Sequence, residues 1–526
     1  MEKKKLGAVF QTVGLPQYTY VKPAHYGEIR SDIEQSGKHL LIEGPSGIGK
    51  TCVVFKVFEE LSYKEGRDFL YVACRDDGAV ELINAVLQAA DSSQGADVKI
   101  LFLDDFHILE EAYRNELGDK LKKLSDTLFL KGNVLKLVLV GIPAAGGSIL
   151  AKAGDLGPRL GGYRFSTASD REINTLIDEG ESALNVLFED RDIILSEASG
   201  NFWLAQYVCN KICSMKEVFE TRDDDHTEVL NFDLLTIRSR ILAELSTRFM
   251  DSAVAFSKGK KWRPGGNKPY LELLLALAKI PDSVVPFDKL LGLVSDRRRP
   301  GIKAVRGRIS SVIFNPEEGI DLRKQIAFED PSFSIEDPLF RYFLTHLSEE
   351  SLYRELGLSR ESVERDAVYT FDVAFSFAGE IRDLVERLNE ELKSQDVVTF
   401  YDFDQQSMLL GDDLESVLRS IYATSAKYYV VFMDDNYAEK VWTKYEKDIM
   451  THSARSKHII PIVVTEKGKS GLVGVSSTLG RIDLSDVWRD FKVSGKFTEA
   501  NIISIRNRAV LPLIEKVDEF SPSLVS

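Results

Sequence analysis

Apolar positions along this chain fall into two blocks of alternating strand and helix patterns, separated by a mostly helical stretch. In the first block, continuous apolar runs at 40–42, 69–74, 100–103 and 134–142 have the length and flanking residues of strands buried on both faces. Helical patterns fill the intervals at 52–62 and 78–90, so residues 1–165 are expected to form a doubly wound parallel sheet. From 170 to 250 the spacing is helical, with a helix–turn–helix junction at 196–206, and the basic, Gly-rich stretch 251–267 reads as a linker. Helices at 270–280, 287–294 and 302–313, Phe-rich ribbons around 326–328 and 332–335, and a helix at 338–347 suggest a winged helix. A charged helix at 348–365 leads into the second block.

That block opens with a strand and loop at 369–380. Ile381, Leu384, Val385, Leu388 and Leu392 then mark one helix face. Strands at 397–402, 427–433 (read as fully apolar) and 459–464 alternate with helices at 414–424 and 441–454, a flavodoxin-like βα repeat. The expected boundaries are 1–165 for a nucleotide-binding core, 166–250 for a helical lid, 265–350 for the winged helix, 351–368 for a linker and 369–526 for the C-terminal α/β domain.

Composition narrows the classes. A chain of 526 residues has room for roughly three or four domains, and its 44% apolar and 28% charged content is that of a folded protein. The net charge of −15 argues against a general binder of nucleic acid or membrane surfaces. Cys52, Cys74, Cys209 and Cys213 suggest no disulfide framework, and Cys209 and Cys213 lack the second His/Cys pair of a zinc site. With no apolar leader segment and no run of membrane-spanning length, a cytoplasmic protein without a membrane partner is expected.

The sharpest chemistry lies at Gly44-Pro45-Ser46-Gly47-Ile48-Gly49-Lys50-Thr51, the P-loop pattern between a strand and a helix. Its glycines let backbone N–H groups converge on phosphate oxygens, and the following helix presents its positive end to the same anion. Lys50 is expected on the β/γ-phosphates, and Thr51 with Asp104 on Mg²⁺. Asp104 and Asp105 end an apolar strand, where ligands bind in open α/β sheets; Asp105 is placed to polarise a water. The fourth strand ends in Gly-Ile-Pro143, with no polar residue at its tip to sense a γ-phosphate. Arg159, the nucleotide-binding candidate, and Arg164 follow in a Gly-rich loop and either reach phosphates, in cis or across a subunit interface, or are solvated surface residues. The lead-in 14–21 either touches the base through 16–21 or only packs.

P-loop core, paired acids and helical lid together resemble the AAA+/STAND group of ATPases. The resemblance implies binding of ATP or ADP as a switch with slow or no hydrolysis, and homo-oligomeric assembly through the ATPase domain. Arg297, Arg298, Arg299, Lys303, Arg306 and Arg308 form a basic cluster that could track nucleic-acid phosphates, but the third helix lacks an Asn/Gln-rich base-reading face. An intramolecular role in the switch is favoured.

Phe371-Asp-Val-Ala-Phe-Ser-Phe-Ala-Gly-Glu380, the strand end Phe400-Tyr-Asp402 and Asn436-Tyr-Ala-Glu-Lys-Val-Trp442-Thr-Lys-Tyr-Glu446 resemble a TIR domain, in particular the bacterial branch with enzymatic members. That resemblance implies NAD⁺ as substrate, with Glu446 cleaving the nicotinamide–ribose bond and Phe377, Tyr401, Asp402, Tyr437 and Trp442 around it. A lone carboxylate suits the reaction, since nicotinamide leaves as a neutral molecule and only an oxocarbenium-like ribosyl centre needs stabilising. Trp442 and Glu446 are four apart, on one helix face. Asp434-Asp435-Asn436 stands where the family usually has a Ser before the Tyr, which puts substrate positioning there in question. The whole layout resembles prokaryotic STAND-type immune proteins, which implies an anti-phage role, assembly through TIR contacts, and an unidentified phage or cellular trigger, either a separate protein or one acting directly on the ATPase–winged-helix body. Two other outputs stay open: a TIR adaptor without catalysis, and a nucleic-acid-responsive ATPase regulator.

Overall fold

A computed structural model describes residues 3–91, 98–131, 135–142, 159–223, 227–282, 284–314, 320–366, 368–401, 425–436, 458–466 and 480–519. The chain divides into two compact units: one of residues 1–249, 281–286 and 323–346, the other of 250–280, 287–322 and 347–526.

The first unit is built on strands β1 (His39–Glu43), β2 (Phe69–Ala73), β3 (Ile100–Asp104), β4 (Lys136–Gly141) and β5 (Leu160–Arg164), all parallel, in the order β2-β3-β4-β1-β5. Every residue of β1, β3 and β4 is buried, as expected of strands covered on both faces. Alternate side chains serve two cores. Leu41, Leu101, Leu103, Leu137 and Leu139 pack with Ile83, Leu87, Leu117 and Leu121 on one face. Leu40, Ile42, Phe102, Val138 and Val140 pack with Ile29, Val53, Val57 and Phe58 on the other.

Helices Asp170–Leu184, Arg191–Ala198 and Phe202–Met215 follow, the first opened by a capping box between Ser169 and Glu172. Two three-residue strands, β6 (Val186–Phe188) and β7 (Glu228–Leu230), pair in parallel; they are too short to stand out in the apolar pattern. The same unit holds an antiparallel sheet, β8-β10-β9, of β8 (Val284–Pro286), β9 (Ile326–Glu329) and β10 (Ser332–Ile335), and the helix Pro338–Thr345. The expected linker at 251–267 is shorter than its composition suggests: the helix Leu234–Lys258 runs into it, because Ala253, Val254, Ala255 and Phe256 are buried.

The second unit contains helices Pro269–Ala278, Phe287–Leu293, Arg299–Val305 and Ile309–Phe314. The continuous helix expected over 302–313 is interrupted by a 3₁₀ turn at Arg306–Arg308, centred on Gly307, a poor residue for a helix interior. A second parallel sheet, β12-β11-β13-β14-β15, comprises β11 (Phe371–Ser376), β12 (Thr399–Phe400), β13 (Ala426–Met433), β14 (Ile459–Val463) and β15 (Ile482–Asp483). This is the flavodoxin-like order, with its switch point between β11 and β13. The expected helices at 414–424 and 441–454 lie outside the described residues.

The strand expected to be wholly apolar carries a buried charge. Lys427 in β13 has no solvent exposure, and its Nζ lies 3.0 Å from Asp372 Oδ1 while donating to Gly265 O at 2.5 Å. Asp372 also accepts from the backbone N–H groups of Asn267 and Val398, both at 2.9 Å. An ion pair this deep survives because its remaining hydrogen-bonding capacity is used.

Candidate functional site

The P-loop turns away from β1 at the C-terminal edge of the first sheet. Gly47 (φ 78°) and Gly49 (φ 90°) adopt left-handed backbone, and a Cβ at Gly47 would come within 2.6 Å of Asn201 Oδ1. Gly49 precedes the helix Lys50–Glu60 without capping it by a side chain, so the first-turn N–H groups are not closed off from an anion. Lys50 Nζ folds back to donate to Gly44 O (2.8 Å) and Pro45 O (2.7 Å). Burial pulls its ammonium below the ordinary lysine value, with Asp105 and Asp104 opposing.

Thr51 Oγ1 stands 3.0 Å from both carboxylate oxygens of Asp104, and Tyr71 OH donates to Asp104 Oδ2 at 3.2 Å. Burial, reinforced by the charge of Asp105, pushes the Asp104 carboxyl up to about 6. Asp105 turns elsewhere. Its backbone is left-handed (φ 53°), and its Oδ2 receives Arg75 Nε at 2.9 Å and Arg75 Nη2.

Lys50, Thr51, Arg75, Asp104 and Asp105 line a cavity of about 520 Å³ together with Pro16, Thr19, Tyr20, Val21, Trp203 and Gln206. The lead-in segment thus reaches the cavity. Contacts from the helical region close over the loop: Asn201 Nδ2 donates to Ser46 O (2.9 Å), and the Trp203 backbone N–H to Gly47 O (3.2 Å). Trp203 Nε1 donates to Thr12 O at 2.9 Å.

A remote segment joins the same edge. Glu336, just after β10, meets His107 Nε2 at 2.5 Å and accepts from Ser334 Oγ at 2.6 Å. Burial acts to raise the Glu336 carboxyl, yet His107, Ser334 and Lys50 hold it below the ordinary glutamate value. Arg114 pairs with Glu329 of β9 alongside. Sequence reasoning missed Arg75, Asn201, Trp203, His107 and Glu336. Only Arg75 carried a local signal, since it follows β2 at the edge where Asp104 ends β3.

Arg159 and Arg164 fall not in a loop but just before β5 and at its end. β5 runs parallel to β1 with Leu160 opposite His39 and Arg164 opposite Glu43. Arg159 therefore precedes the N-terminal end of its strand, at the opposite edge of the sheet from the P-loop, and does not line the cavity within this chain. Arg164 is on the loop side, 3.5 Å from Glu43 Oε2.

In the second unit, Phe377 and Tyr401 follow β11 and β12, with ring centroids 5.9 Å apart and planes within 24°. The Arg382 guanidinium sits 5.2 Å from the Phe377 centroid and 5.8 Å from that of Tyr401, a contact the sequence reading did not include. Asp402, Tyr437, Trp442 and Glu446 lie outside the described residues. Of the basic cluster, Arg298 pairs with Glu272 (3.5 Å), Arg299 with Asp296 (2.5 Å) and Arg308 with Asp396 (3.0 Å), while Arg306 lies 4.6 Å over the Phe287 ring. Each of those four side chains has a partner within the unit.

Residues 40–134 match the ATPase family associated with various cellular activities (AAA), and residues 373–495 match the TIR domain. The chain therefore carries an AAA ATPase domain and a C-terminal TIR domain. Over 118 residues, 22% of this chain and 36% of the relative, it is 36% identical to the 3′ cyclic ADP-D-ribose synthase AaTIR of Aquimarina amphilecti. It thus spans little more than a third of that relative's length. Among solved structures it is similar to Cdc6p from Pyrobaculum aerophilum (15% identity, 66% of this chain and 98% of that one, TM-score 0.32). It is also similar to the Aeropyrum pernix ORC1 protein in complex with DNA (14% identity, 69% and 98%, TM-score 0.34). Among the described residues no helix is long and apolar enough to cross a membrane.

Proposed function

We propose that this protein is a nucleotide-switched, NAD⁺-consuming enzyme: the AAA domain binds ATP or ADP, and the TIR domain cleaves NAD⁺ at the nicotinamide–ribose bond. The observation that carries the catalytic half is the 36% identity to a cyclic ADP-ribose synthase in a chain with a TIR domain. Making cyclic ADP-ribose from NAD⁺ requires that bond to break. Its electron pair leaves with nicotinamide, which departs neutral, and the ribosyl carbon is captured either by water or by a hydroxyl of the same ADP-ribose. Glu446 is the carboxylate assigned to stabilise the ribosyl cation, with Trp442, Tyr437 and Asp402 around the substrate and Phe377 and Tyr401 at the strand ends.

For the AAA half, the hard oxygen donors Thr51 Oγ1 and Asp104, held 3.0 Å apart, suit Mg²⁺. Bound with nucleotide, Mg²⁺ would neutralise phosphate charge. Lys50 would exchange its two loop carbonyls for phosphate oxygens, and Trp203 with the 16–21 segment would enclose the base. The triphosphate state is assigned to assembly into a homo-oligomer that brings TIR domains together, in response to a trigger from phage or cell.

The test is nicotinamide release from NAD⁺ by concentrated protein beside Glu446→Ala. The expected result is a loss of at least about a hundredfold in the variant, as for removal of a principal transition-state contact. Equal rates in both proteins would remove Glu446 from the mechanism.

A further inference from the structure

The residues lining the cavity are of two kinds. Lys50, Thr51 and Asp104 supply charge and oxygen ligands for phosphates, whereas Pro16, Tyr20, Val21, Leu176 and Trp203 are apolar or aromatic and suit a flat heterocycle. Given a nucleotide in the cavity, as proposed above, the choice of base falls to the polar atoms that these walls leave unpaired.

Three lining side chains have a buried polar atom with no partner among the described residues: Gln11 Oε1, Tyr20 OH and Gln206 Oε1. They are not equivalent. A phenol hydroxyl both donates and accepts, so Tyr20 takes either kind of base edge. The Gln11 amide donates to Val13 O at 2.7 Å on an exposed stretch of chain, where water can replace that carbonyl. Gln206 differs because its orientation is imposed. Its Nε2 lies 2.5 Å from Thr19 Oγ1, which in turn lies 2.9 Å from Val9 O. A carbonyl oxygen only accepts, so the Thr19 hydroxyl gives its one proton to Val9 and can only accept from Gln206. The amide must therefore turn its NH₂ to Thr19, and Oε1 is left as a fixed acceptor. Thr19 and Gln206 are 2% and 4% exposed, so solvent does not loosen this chain of bonds.

We propose that Gln206 reads the 6-position of a bound purine: Oε1 accepts from the exocyclic amino group of adenine, and Thr19 is a positioning residue that keeps the amide from turning. A 6-oxo purine brings a lone pair to the same place and leaves two acceptors facing each other. A buried acceptor without a donor is costly, so one atom both favours adenine and rejects hypoxanthine or guanine. Lys50 and Thr51 carry no such selectivity, since they meet phosphate and metal, which all these nucleotides share.

The test is equilibrium binding of ADP and of inosine diphosphate, each with Mg²⁺, to the full chain, in wild type, Gln206→Leu and Thr19→Val. Wild type is expected to prefer ADP by at least about tenfold. Gln206→Leu should lose that preference, chiefly by weaker ADP binding. Thr19→Val keeps the shape of the side chain but releases the amide, which can then turn Nε2 to the 6-oxo group. The preference should fall below about threefold, chiefly by a gain in inosine diphosphate binding. A merely structural role for Thr19 would weaken both ligands alike, and retained ADP binding shows that the variant is folded. Equal or reversed affinities in wild type, or a preference that survives in Gln206→Leu, overturn the role of Gln206. A preference that survives only in Thr19→Val overturns the positioning by Thr19. A wild-type protein that binds neither nucleotide overturns the nucleotide site itself.

Discussion

His39 lies in β1 with no solvent exposure, and its Nδ1 accepts the Leu137 N–H at 3.0 Å while Nε2 has no partner among the described residues. Burial, with Lys136 nearby, lowers its pKa to about 4, so the folded protein holds it neutral. Since that value lies below the unfolded one, the stabilisation is complete above about pH 6.5 and is lost as pH falls towards 4, about 3 kcal/mol in all. A glutamine oxygen can accept the same N–H. His39→Gln should therefore flatten the fall of the thermal unfolding midpoint between pH 7 and pH 5, and an unchanged slope would show that His39 is not the group responsible. Residues of this kind also mark what was legible in the sequence. Lys50 and Thr51 were, because spacing within one strand–loop–helix unit fixes them, and Asp104 was, because it ends an apolar strand that follows that unit. Arg75–Asp105 and His107–Glu336 were not, because sheet order and a segment some 230 positions away bring them together.

At the scale of elements, the central strands of both parallel sheets were readable from short apolar runs, whereas the edge strands β5 and β15, which carry no such run, were not. The pattern failed where burial and composition part company. The helix Leu234–Lys258 continues under basic, Gly-rich sequence, β6 and β7 have three residues each, and Lys427 hides a charge in an apolar strand. Lys427 predicts a measurable coupling. Lys427→Met strands the Asp372 carboxylate in the sheet and should cost about 3–5 kcal/mol in denaturant unfolding. Asp372→Asn should then cost markedly less in the Lys427→Met background than in wild type. Additive losses would mean that the two groups do not stabilise each other. The same network ties residues 265–267 to the start of β11 and β13, so the segment preceding the helix Pro269–Ala278 is fixed to the TIR sheet rather than loosely attached.

On the scale of the whole molecule, the chain joins two parallel sheets, one with the proposed nucleotide site at its C-terminal edge and one with Phe377 and Tyr401 following β11 and β12. The sheet β8-β10-β9 belongs to the unit of the AAA domain, and through Glu336 and Glu329 it contacts the segment that follows the paired acids. That is the physical basis for expecting nucleotide state to be felt beyond the AAA sheet. The central claim is that nucleotide in the AAA domain controls NAD⁺ consumption in the TIR domain. The most direct measurement is NAD⁺ turnover by the concentrated full chain with ADP–Mg²⁺ and with the non-hydrolysable ATP analogue, in wild type and in Lys50→Ala. The account predicts turnover at least about tenfold faster with the triphosphate analogue in wild type and no such difference in Lys50→Ala, matching a coupling of about 1.4 kcal/mol or more. Equal turnover in both nucleotide states, or a response that survives in Lys50→Ala, would contradict it.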